Sequence, residues 1–202
     1  FKAYDIRGIY PDELNEELAY KIGRAYASLR QKELGKIDIT VVAGHDMRLS
    51  SPSLAKQLKQ GLLDQGASVV DIGLSSTPTF YFAVSFYGYD GGALVTASHN
   101  PKEYNGVKMI RERAKPLGKG SGMEELQSLV KENNFVDSEK KGKLIIIEEV
   151  LNEQIKLAKK FADISKIKPM KIVVDTANAM GVIYLEKMFV DLPQIELVKM
   201  NW

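Results

Sequence analysis

Short runs of β-branched and apolar residues alternate with longer amphipathic stretches along most of this 202-residue chain. Such alternation with short connections is typical of a layered α/β domain, in which helices cover both faces of a mixed or parallel sheet. Strands are predicted at 39–43, 68–72, 92–96 and 107–110, the last as a hairpin-like return, and helices at 51–65, 77–87 and 124–132. The alternation therefore predicts the α/β fold class before any single residue is considered.

The composition turns polar between residues 133 and 143, where we place a domain boundary. The predicted organisation is a first domain over 1–135, a linker over 136–147 and the start of a second, similar α/β domain over 148–202. In this last part we predict helices at 148–162 and 182–190 and strands at 171–175 and 195–200. A unit of strand, helix and strand cannot cover both faces of its sheet, so we expect a second domain that is cut short and a chain that is an N-terminal fragment.

Charge and composition narrow the class of protein. The 28 basic and 26 acidic residues nearly balance, and no stretch concentrates lysine and arginine among aromatic residues, so we expect no nucleic-acid partner. The chain contains no cysteine, which excludes disulfides and thiolate metal sites and fits a reducing compartment. No apolar run approaches the ~20 residues that span a bilayer. We therefore expect a cytoplasmic protein without a membrane partner.

Ser98 follows directly on a predicted apolar strand, in the segment TASHNP at residues 96–101. In α/β sheets the carboxyl ends of the strands collect ligands, which makes an exposed serine there a candidate nucleophile. Adjacent side chains at a strand-to-loop junction often point apart, so we expect His99 to orient Ser98 or stabilise charge near it. The alternative is an ordinary polar turn, since Asn105-Gly106 is also a strong two-residue turn signal. The residue types alone leave both interpretations open.

Longer motifs resemble a known family. TASHNPKEYNGVK at 96–108 resembles the phosphoserine loop of the α-D-phosphohexomutases, and FKAYDIRG at 1–8 resembles their N-terminal signature. GHDMRLSS at 44–51 resembles their Gly-x-Asp-x-Arg-x-Ser turn, and IVVDTANAMG at 172–181 resembles the start of their second domain. The YDIRG form and the Tyr-Asn-Gly-x-Lys ending are similar to the phosphomannomutase/phosphoglucomutase branch.

The resemblance implies that Ser98 carries a phosphate in the resting enzyme. It would give this phosphate to a mannose or glucose phosphate, form a bisphosphorylated sugar such as glucose 1,6-bisphosphate, and take back the other phosphate. Phosphate thereby moves between the C1 and C6 oxygens. The resemblance also implies Mg²⁺, bound partly through the phosphate on Ser98, with the remaining ligands in an Asp-x-Asp-x-Asp loop expected beyond residue 202. We therefore expect the fragment to be inactive by itself.

The same resemblance implies roles for further residues. Arg7 and Lys108 match family positions near the phosphoserine and are candidate catalytic and substrate-binding cations, together with His99 as a catalytic candidate. Tyr4 is a candidate for lining the substrate cleft. Each has a structural alternative: a surface ion pair for Arg7, a solvated strand-end lysine for Lys108, and a packing tyrosine for Tyr4.

Three positions concern the neighbouring turns. We expect Asp46 and Arg48 to hold the turn that follows the first long strand. His45 stands where the family often has arginine, which leaves its role open. Ala179 stands where the family often has glycine, so the geometry of that turn is left open as well.

Two other functions compete with the mutase. One is a sugar-phosphate binding or regulatory module that retains the fold without turnover. The other is a serine hydrolase, which the chain disfavours because it lacks a Gly-x-Ser-x-Gly elbow and has only two histidines.

Overall fold

The computed structural model describes residues 1–202, which separate into two units, residues 1–147 and 148–202. The strands of the first unit are β1 (Ile6–Ile9), β2 (Thr40–His45), β3 (Ser68–Leu74), β4 (Gly91–Val95), β5 (Tyr104–Arg111) and β6 (Leu144–Ile146). Its helices are α1 (Glu16–Leu34), α2 (Ser51–Asp64), α3 (Thr77–Phe86) and α4 (Met123–Glu132), with a 3-10 turn at Glu112–Ala114.

The six strands form one mixed sheet in the order β1-β5-β4-β2-β3-β6. Strands β2, β3, β4 and β6 pair in parallel, and β5 pairs antiparallel with both β1 and β4. The carboxyl ends of β2, β3 and β4 and the start of β5 therefore meet at one edge of the sheet. That edge is where an α/β sheet gathers its functional loops.

Helices cover both faces of this sheet, as predicted. Ile22 of α1, Leu58 of α2 and Leu126 of α4 share one buried core with strand residues such as Ala43 and Val107. Helix α3 covers the opposite face, where the Phe80 ring lies so close to Gly92 that a Cβ there would be 2.5 Å from it. No helix in the chain has both the length and the apolar character needed to cross a membrane.

The longest helix, α1, and the short strand β1 are missing from the sequence predictions. The signals for α1 are nevertheless present. The side chain of Asn15 accepts a hydrogen bond from the Leu18 amide, Glu16 and Glu17 occupy the first turn, and Gly35 ends the helix in a left-handed conformation. These are the usual start and stop residues of a helix, so local sequence was sufficient to find it.

The predicted linker 136–147 is partly wrong. Residues Leu144–Ile146 form β6, which extends the sheet by pairing in parallel with β3 from Val69↔Leu144 onward. The preceding residues are fastened as well, because Arg24 donates to the Val136 carbonyl at 3.1 Å and to Asp137 Oδ1 at 2.8 Å. The apolar run at 144–147 has four residues, the lower limit of a strand signal, and the open edge of β3 supplies its partner. The first unit therefore extends to Ile147.

The second unit contains α5 (Val150–Lys160), β7 (Met170–Asp175), α6 (Gly181–Phe189) and β8 (Ile195–Met200), with a 3-10 turn at Ile164–Lys166. Strands β7 and β8 pair in parallel. Val173 in β7 remains 59% exposed, so this small sheet is only partly covered. The turn after β7 is made by left-handed Ala177 and Asn178, with φ angles of 50° and 52°, and Ala179 is not among the left-handed residues.

A buried arginine ties α1 to the sheet. The Arg30 side chain is 1% exposed and donates to the Asp90 carbonyl at 2.9 Å, to Glu112 at 2.6 Å and to Glu33. Glu33 also accepts hydrogen bonds from Arg111. Burial raises the pKa of Glu33, but the hydrogen bonds and charges of Arg111 and Arg30 outweigh it and hold that pKa below its usual 4.5.

We predict that Glu33→Gln destabilises the protein at neutral pH and that this difference shrinks in acid. The folded-state pKa of Glu33 lies below the unfolded value, so its contribution is present above 4.5 and is lost as the pH falls through the folded pKa. Urea unfolding of both proteins at about pH 7 and about pH 3 measures the change. Glu139→Gln, at an exposed position without an ion pair, is the control. A Glu33→Gln difference that is the same at both pH values would contradict the prediction.

Candidate active site

Ser98 lies at the sheet edge formed by the ends of the parallel strands. Strand β4 ends at Val95, and residues 96–103 connect it to β5. Ser98 is exposed and has a φ of 54°, a left-handed conformation that is uncommon for a residue with a side chain. Its amide donates to Thr96 Oγ1 at 2.9 Å. The left-handed backbone costs roughly 1–2 kcal/mol, so the surrounding contacts must hold it.

The side chains of Ser98 and His99 meet. Ser98 Oγ lies 3.2 Å from His99 Nδ1, within hydrogen-bonding distance. The expectation that these neighbours point apart is therefore wrong for this loop, because the left-handed turn at Ser98 redirects the chain. His99 Nδ1 can accept the hydroxyl proton in one protonation state and donate to an oxygen on Ser98 in the other.

Arg7 contacts the same loop from β1. Its Nη2 lies 2.8 Å from Asp5 Oδ2, and its Nη1 donates to the Ala97 carbonyl at 3.2 Å and to the side-chain oxygen of Asn100. Arg7 thus forms the predicted alternative, an ion pair, and also contacts residues on both sides of Ser98. Neither Asn100 nor Asp5 was among the residues predicted for the site, because neither carries a distinctive sequence signal of its own.

Lys108 lies on the same face of the sheet as Arg7. Arg7 pairs with Gly106 across β1 and β5, and Lys108 is two residues further along β5, so their side chains project to the same side. Lys108 is partly buried, and its ammonium takes part in none of the ion pairs and side-chain hydrogen bonds of the chain. Its ammonium is therefore free to bind an anion.

Tyr4 packs against the turn at Gly118. It is 64% exposed, and a Cβ at Gly118 would lie 2.7 Å from its Cδ1 atom, so the ring packs against the turn at Gly118. This contact is the packing alternative, and no hydrogen bond joins the Tyr4 side chain to the Ser98 loop; a place in the substrate cleft stays a prediction.

A buried network of polar side chains joins β5 to the turn after β2 and the start of α2. Its central residue, Asn105, was not predicted from the sequence as part of the site. Asn105 is 0% exposed and donates to Ser50 Oγ at 2.8 Å and Ser51 Oγ at 3.0 Å. Ser51 Oγ in turn donates to Asp46 Oδ1 at 2.6 Å. The Asn105-Gly106 pair, which resembles a turn signal, lies inside β5 instead. Only the packing of β5 against the start of α2 gives the amide of Asn105 these partners.

Gly106, which follows Asn105 in β5, is a glycine because two backbone segments lie close to it. A Cβ at this position would lie 2.4 Å from the Ile6 carbonyl oxygen and 2.7 Å from the Thr96 carbonyl oxygen. Both atoms belong to backbone on either side of β5, so no side chain can be accommodated without spreading the strands. Glycine therefore allows β1, which carries Arg7, to approach the serine loop.

The turn after β2 behaves as predicted for Asp46 and Arg48. The Arg48 amide donates to Asp46 Oδ1 at 3.1 Å, and Arg48 Nε lies 3.4 Å from Asp46 Oδ2. The Arg48 guanidinium also extends beyond this turn and contacts the Ser98 loop. His45 Nδ1 lies 2.8 Å from the Asp46 carbonyl oxygen, so the ring is held on its own turn.

The side chains of this chain do not assemble a complete metal site. No group of three or more His, Cys, Asp or Glu residues is placed to hold an ion. Mg²⁺ prefers near-octahedral oxygen ligands, and Ser98 would offer it only oxygens of an attached phosphate. The residues present therefore do not by themselves fit a resident Mg²⁺.

Comparison with known proteins agrees with the fold. The family model described as phosphoglucomutase/phosphomannomutase, alpha/beta/alpha domain I, matches residues 1–137. A phosphomannomutase of Vibrio cholerae is 43% identical over 208 residues, which cover 100% of this chain and 44% of that protein. A phosphomannomutase of Klebsiella pneumoniae is 48% identical over 165 residues, which cover 81% of this chain and 96% of that protein.

A solved structure gives the same result. A phosphoglucomutase/phosphomannomutase family protein from Burkholderia thailandensis superposes with a TM-score of 0.81 at 32% identity, covering 99% of this chain and 43% of that one. The fold and these matches thus define an alpha/beta/alpha domain of the phosphoglucomutase/phosphomannomutase class. The chain belongs to the phosphoglucomutase/phosphomannomutase family. It spans less than half the length of the Vibrio cholerae relative.

Proposed function

We propose that this chain carries the phosphate-accepting serine of a mutase that interconverts hexose 1-phosphates and hexose 6-phosphates of glucose or mannose. The observation that carries the proposal is the geometry at Ser98: an exposed hydroxyl on a left-handed residue, 3.2 Å from His99 Nδ1. The names of the family model and of the relatives support the mutase class. Ser98 is the residue that would hold phosphate between the two transfers.

Each transfer exchanges one P–O bond for another. An oxygen of the sugar attacks the phosphorus of phospho-Ser98, the bond from phosphorus to Oγ breaks, and the hydroxyl proton of the sugar is removed as Oγ gains a proton. The reverse step returns the other phosphate of the resulting bisphosphate to Ser98. His99 Nδ1 is within reach of Oγ and would hold the proton that Oγ gains or loses.

Cations around the serine would neutralise the phosphate oxygens. Phosphoryl transfer depends on in-line positioning and on charge stabilisation rather than on covalent chemistry of the protein. Arg7 touches Ala97 and Asn100, on either side of Ser98, and Lys108 projects from the same face with no partner. We propose both as phosphate-binding groups. Mg²⁺ also suits phosphate oxygens, with ligands that these 202 residues do not supply.

We further propose that the 202-residue chain does not turn substrate over by itself. The cations named above can hold a phosphate, but none of the described contacts forms a site for the sugar ring. The chain covers 44% of the Vibrio cholerae phosphomannomutase, which leaves the larger part of that relative without a counterpart here. Robust mutase activity of the isolated chain would overturn this part of the proposal.

We propose the cytoplasm as the location. The absence of cysteine suits a reducing compartment. Hexose phosphates are charged, and because hydrocarbon excludes isolated charges, a bilayer keeps them on the side where they are made. Fractionation of the native cells with an antibody to the chain would test this.

The experiment that tests the function is a phosphate map of the full product of the gene. The protein is purified, treated with glucose 1,6-bisphosphate as activator, and examined by intact mass and phosphopeptide mapping. We expect one phosphate, on Ser98, and its transfer to glucose or mannose phosphate. A Ser98 that carries no phosphate and cannot be charged by the bisphosphate would overturn the proposal and favour a non-catalytic sugar-phosphate binder.

A further inference from the structure

The Arg48 guanidinium closes over the backbone of the serine loop. Its Nη1 donates to the carbonyl oxygens of Pro101 at 2.7 Å and Tyr104 at 2.9 Å. Its Nη2 donates to the carbonyl oxygens of Ser98 at 2.9 Å and Asn100 at 2.6 Å. One side chain from the turn after β2 therefore donates hydrogen bonds to four carbonyl oxygens in and next to the loop that connects β4 to β5.

A buried carboxylate orients this guanidinium. Arg48 Nε lies 3.4 Å from Asp46 Oδ2, and the Arg48 side chain is only 13% exposed. Asp46 is itself fixed, because its Oδ1 accepts hydrogen bonds from Ser51 Oγ at 2.6 Å and from the Arg48 amide at 3.1 Å. The contact between Arg48 and the Ser98 loop thus depends on side chains that are largely buried, not on two exposed side chains.

The number of guanidinium N–H groups still free shows that Arg48 is not placed to bind a phosphate. Each Nη atom carries two N–H groups, and each already has two carbonyl partners, while Nε faces Asp46. Arg48 therefore has no N–H left for a phosphate oxygen. Arg7 differs, because its Nη2 faces only Asp5 and keeps one N–H free.

We infer that Arg48 is a positioning residue for phosphate transfer at Ser98, an inference that rests on the function proposed above. It acts through the backbone: by binding the Ser98 carbonyl it helps hold the left-handed conformation that brings Oγ to His99 Nδ1. In-line transfer is sensitive to displacements of about 1 Å, so a loosened loop slows the reaction without removing a substrate contact. Lysine cannot replace it, because an ammonium lacks the planar fork that reaches several carbonyls at once.

The test compares Arg48→Lys with Arg24→Lys. Arg24 is the matched control, since it is also buried and also donates to a backbone carbonyl, that of Val136, but contacts no residue of the Ser98 loop. Amide hydrogen exchange of the chain measures how firmly Arg48 restrains the backbone of the Ser98 loop. Steady-state kinetics of the full gene product measure the effect of that restraint on kcat and KM. Thermal unfolding of each variant confirms that it folds.

For Arg48→Lys we expect exchange of the amides of Ser98, Asn100 and Tyr104 to accelerate by roughly tenfold or more. We expect kcat to fall by on the order of 10²-fold while KM changes by less than about threefold. Arg24→Lys should change neither. Unchanged loop exchange in Arg48→Lys would overturn the inference, and so would a raised KM with unchanged kcat, which would make Arg48 a substrate ligand.

The two proposals fail in different ways. If wild-type Ser98 takes no phosphate, the proposed function and the catalytic meaning of Arg48 both fall, whatever the exchange data show. If Ser98 is phosphorylated but Arg48→Lys keeps normal kcat and loop exchange, only the Arg48 inference falls.

Discussion

We expect Ser98→Ala to remove phosphate loading of the protein and to lower mutase activity of the full gene product by on the order of 10⁴-fold or more. The reason is that the proposed reaction passes through a covalent bond to Ser98 Oγ, and the loop has no second hydroxyl positioned beside His99 Nδ1. Stability should change little, because Ser98 is exposed and alanine keeps the same Cβ on the same backbone. The measurements are intact mass after treatment with glucose 1,6-bisphosphate and a coupled assay of glucose and mannose phosphates.

Two further variants make this result specific. Ser98→Gly accepts the left-handed φ of 54° without a steric penalty, so it should fold as well as the wild type and be equally inactive. Ser128→Ala removes an exposed hydroxyl from α4 and should keep both phosphate and activity. Retention of phosphate in Ser98→Ala would show that another residue is the acceptor.

We expect Gly61→Ala to destabilise the protein by roughly 2–3 kcal/mol, although alanine usually stabilises a helix interior by about 1 kcal/mol relative to glycine. Helices α1 and α2 cross at Gly23 and Gly61. A Cβ on Gly61 would lie 2.1 Å from the Tyr20 carbonyl oxygen, and a Cβ on Gly23 would lie 2.2 Å from the Leu58 carbonyl oxygen. Both obstacles are backbone atoms of the facing helix, so the whole helix would have to move.

The sign of the change is the critical result. Urea unfolding gives the free energy for wild type, Gly61→Ala and Gln60→Ala, the last being an exposed position one residue earlier in α2. We expect Gln60→Ala to stay within about 0.5 kcal/mol of wild type. A neutral or stabilising Gly61→Ala would contradict the prediction. It would mean that α1 and α2 are farther apart at their crossing than in this structure.

Several features of this protein could be predicted from neighbouring residues along the chain. The apolar runs predicted β2, β3, β4 and β5, and the Ser-Pro and Thr-Pro starts predicted α2 and α3 to within a few residues. The position of Ser98 directly after a predicted apolar strand was enough to place it at the sheet edge where the parallel strands end. Helix α1 could have been predicted from the sequence as well, because Asn15 and Gly35 mark its ends.

Other features depended on contacts between distant parts of the chain. β6 is a strand because β3 offers it an edge, and Asn105 is buried because the hydroxyls of Ser50 and Ser51 satisfy its amide. The sequence pattern identified Arg48 as a residue of its own turn, yet its main partners lie about fifty positions away, in the loop of Ser98.

The sequence by itself thus determined the α/β class and most element positions, because periodicity, caps and strand ends are local properties of the chain. It also singled out Ser98 as the candidate nucleophile, through the motif that resembles the phosphoserine loop of the family. Only the tertiary structure decided that Ser98 contacts His99, that Arg48 binds the carbonyls of its loop and that Tyr4 packs against the turn at Gly118. Those outcomes depend on which backbone carbonyls and side chains meet when β1, β4, β5 and the turn after β2 come together. A polar side chain has many possible partners in the sequence, and packing selects among them.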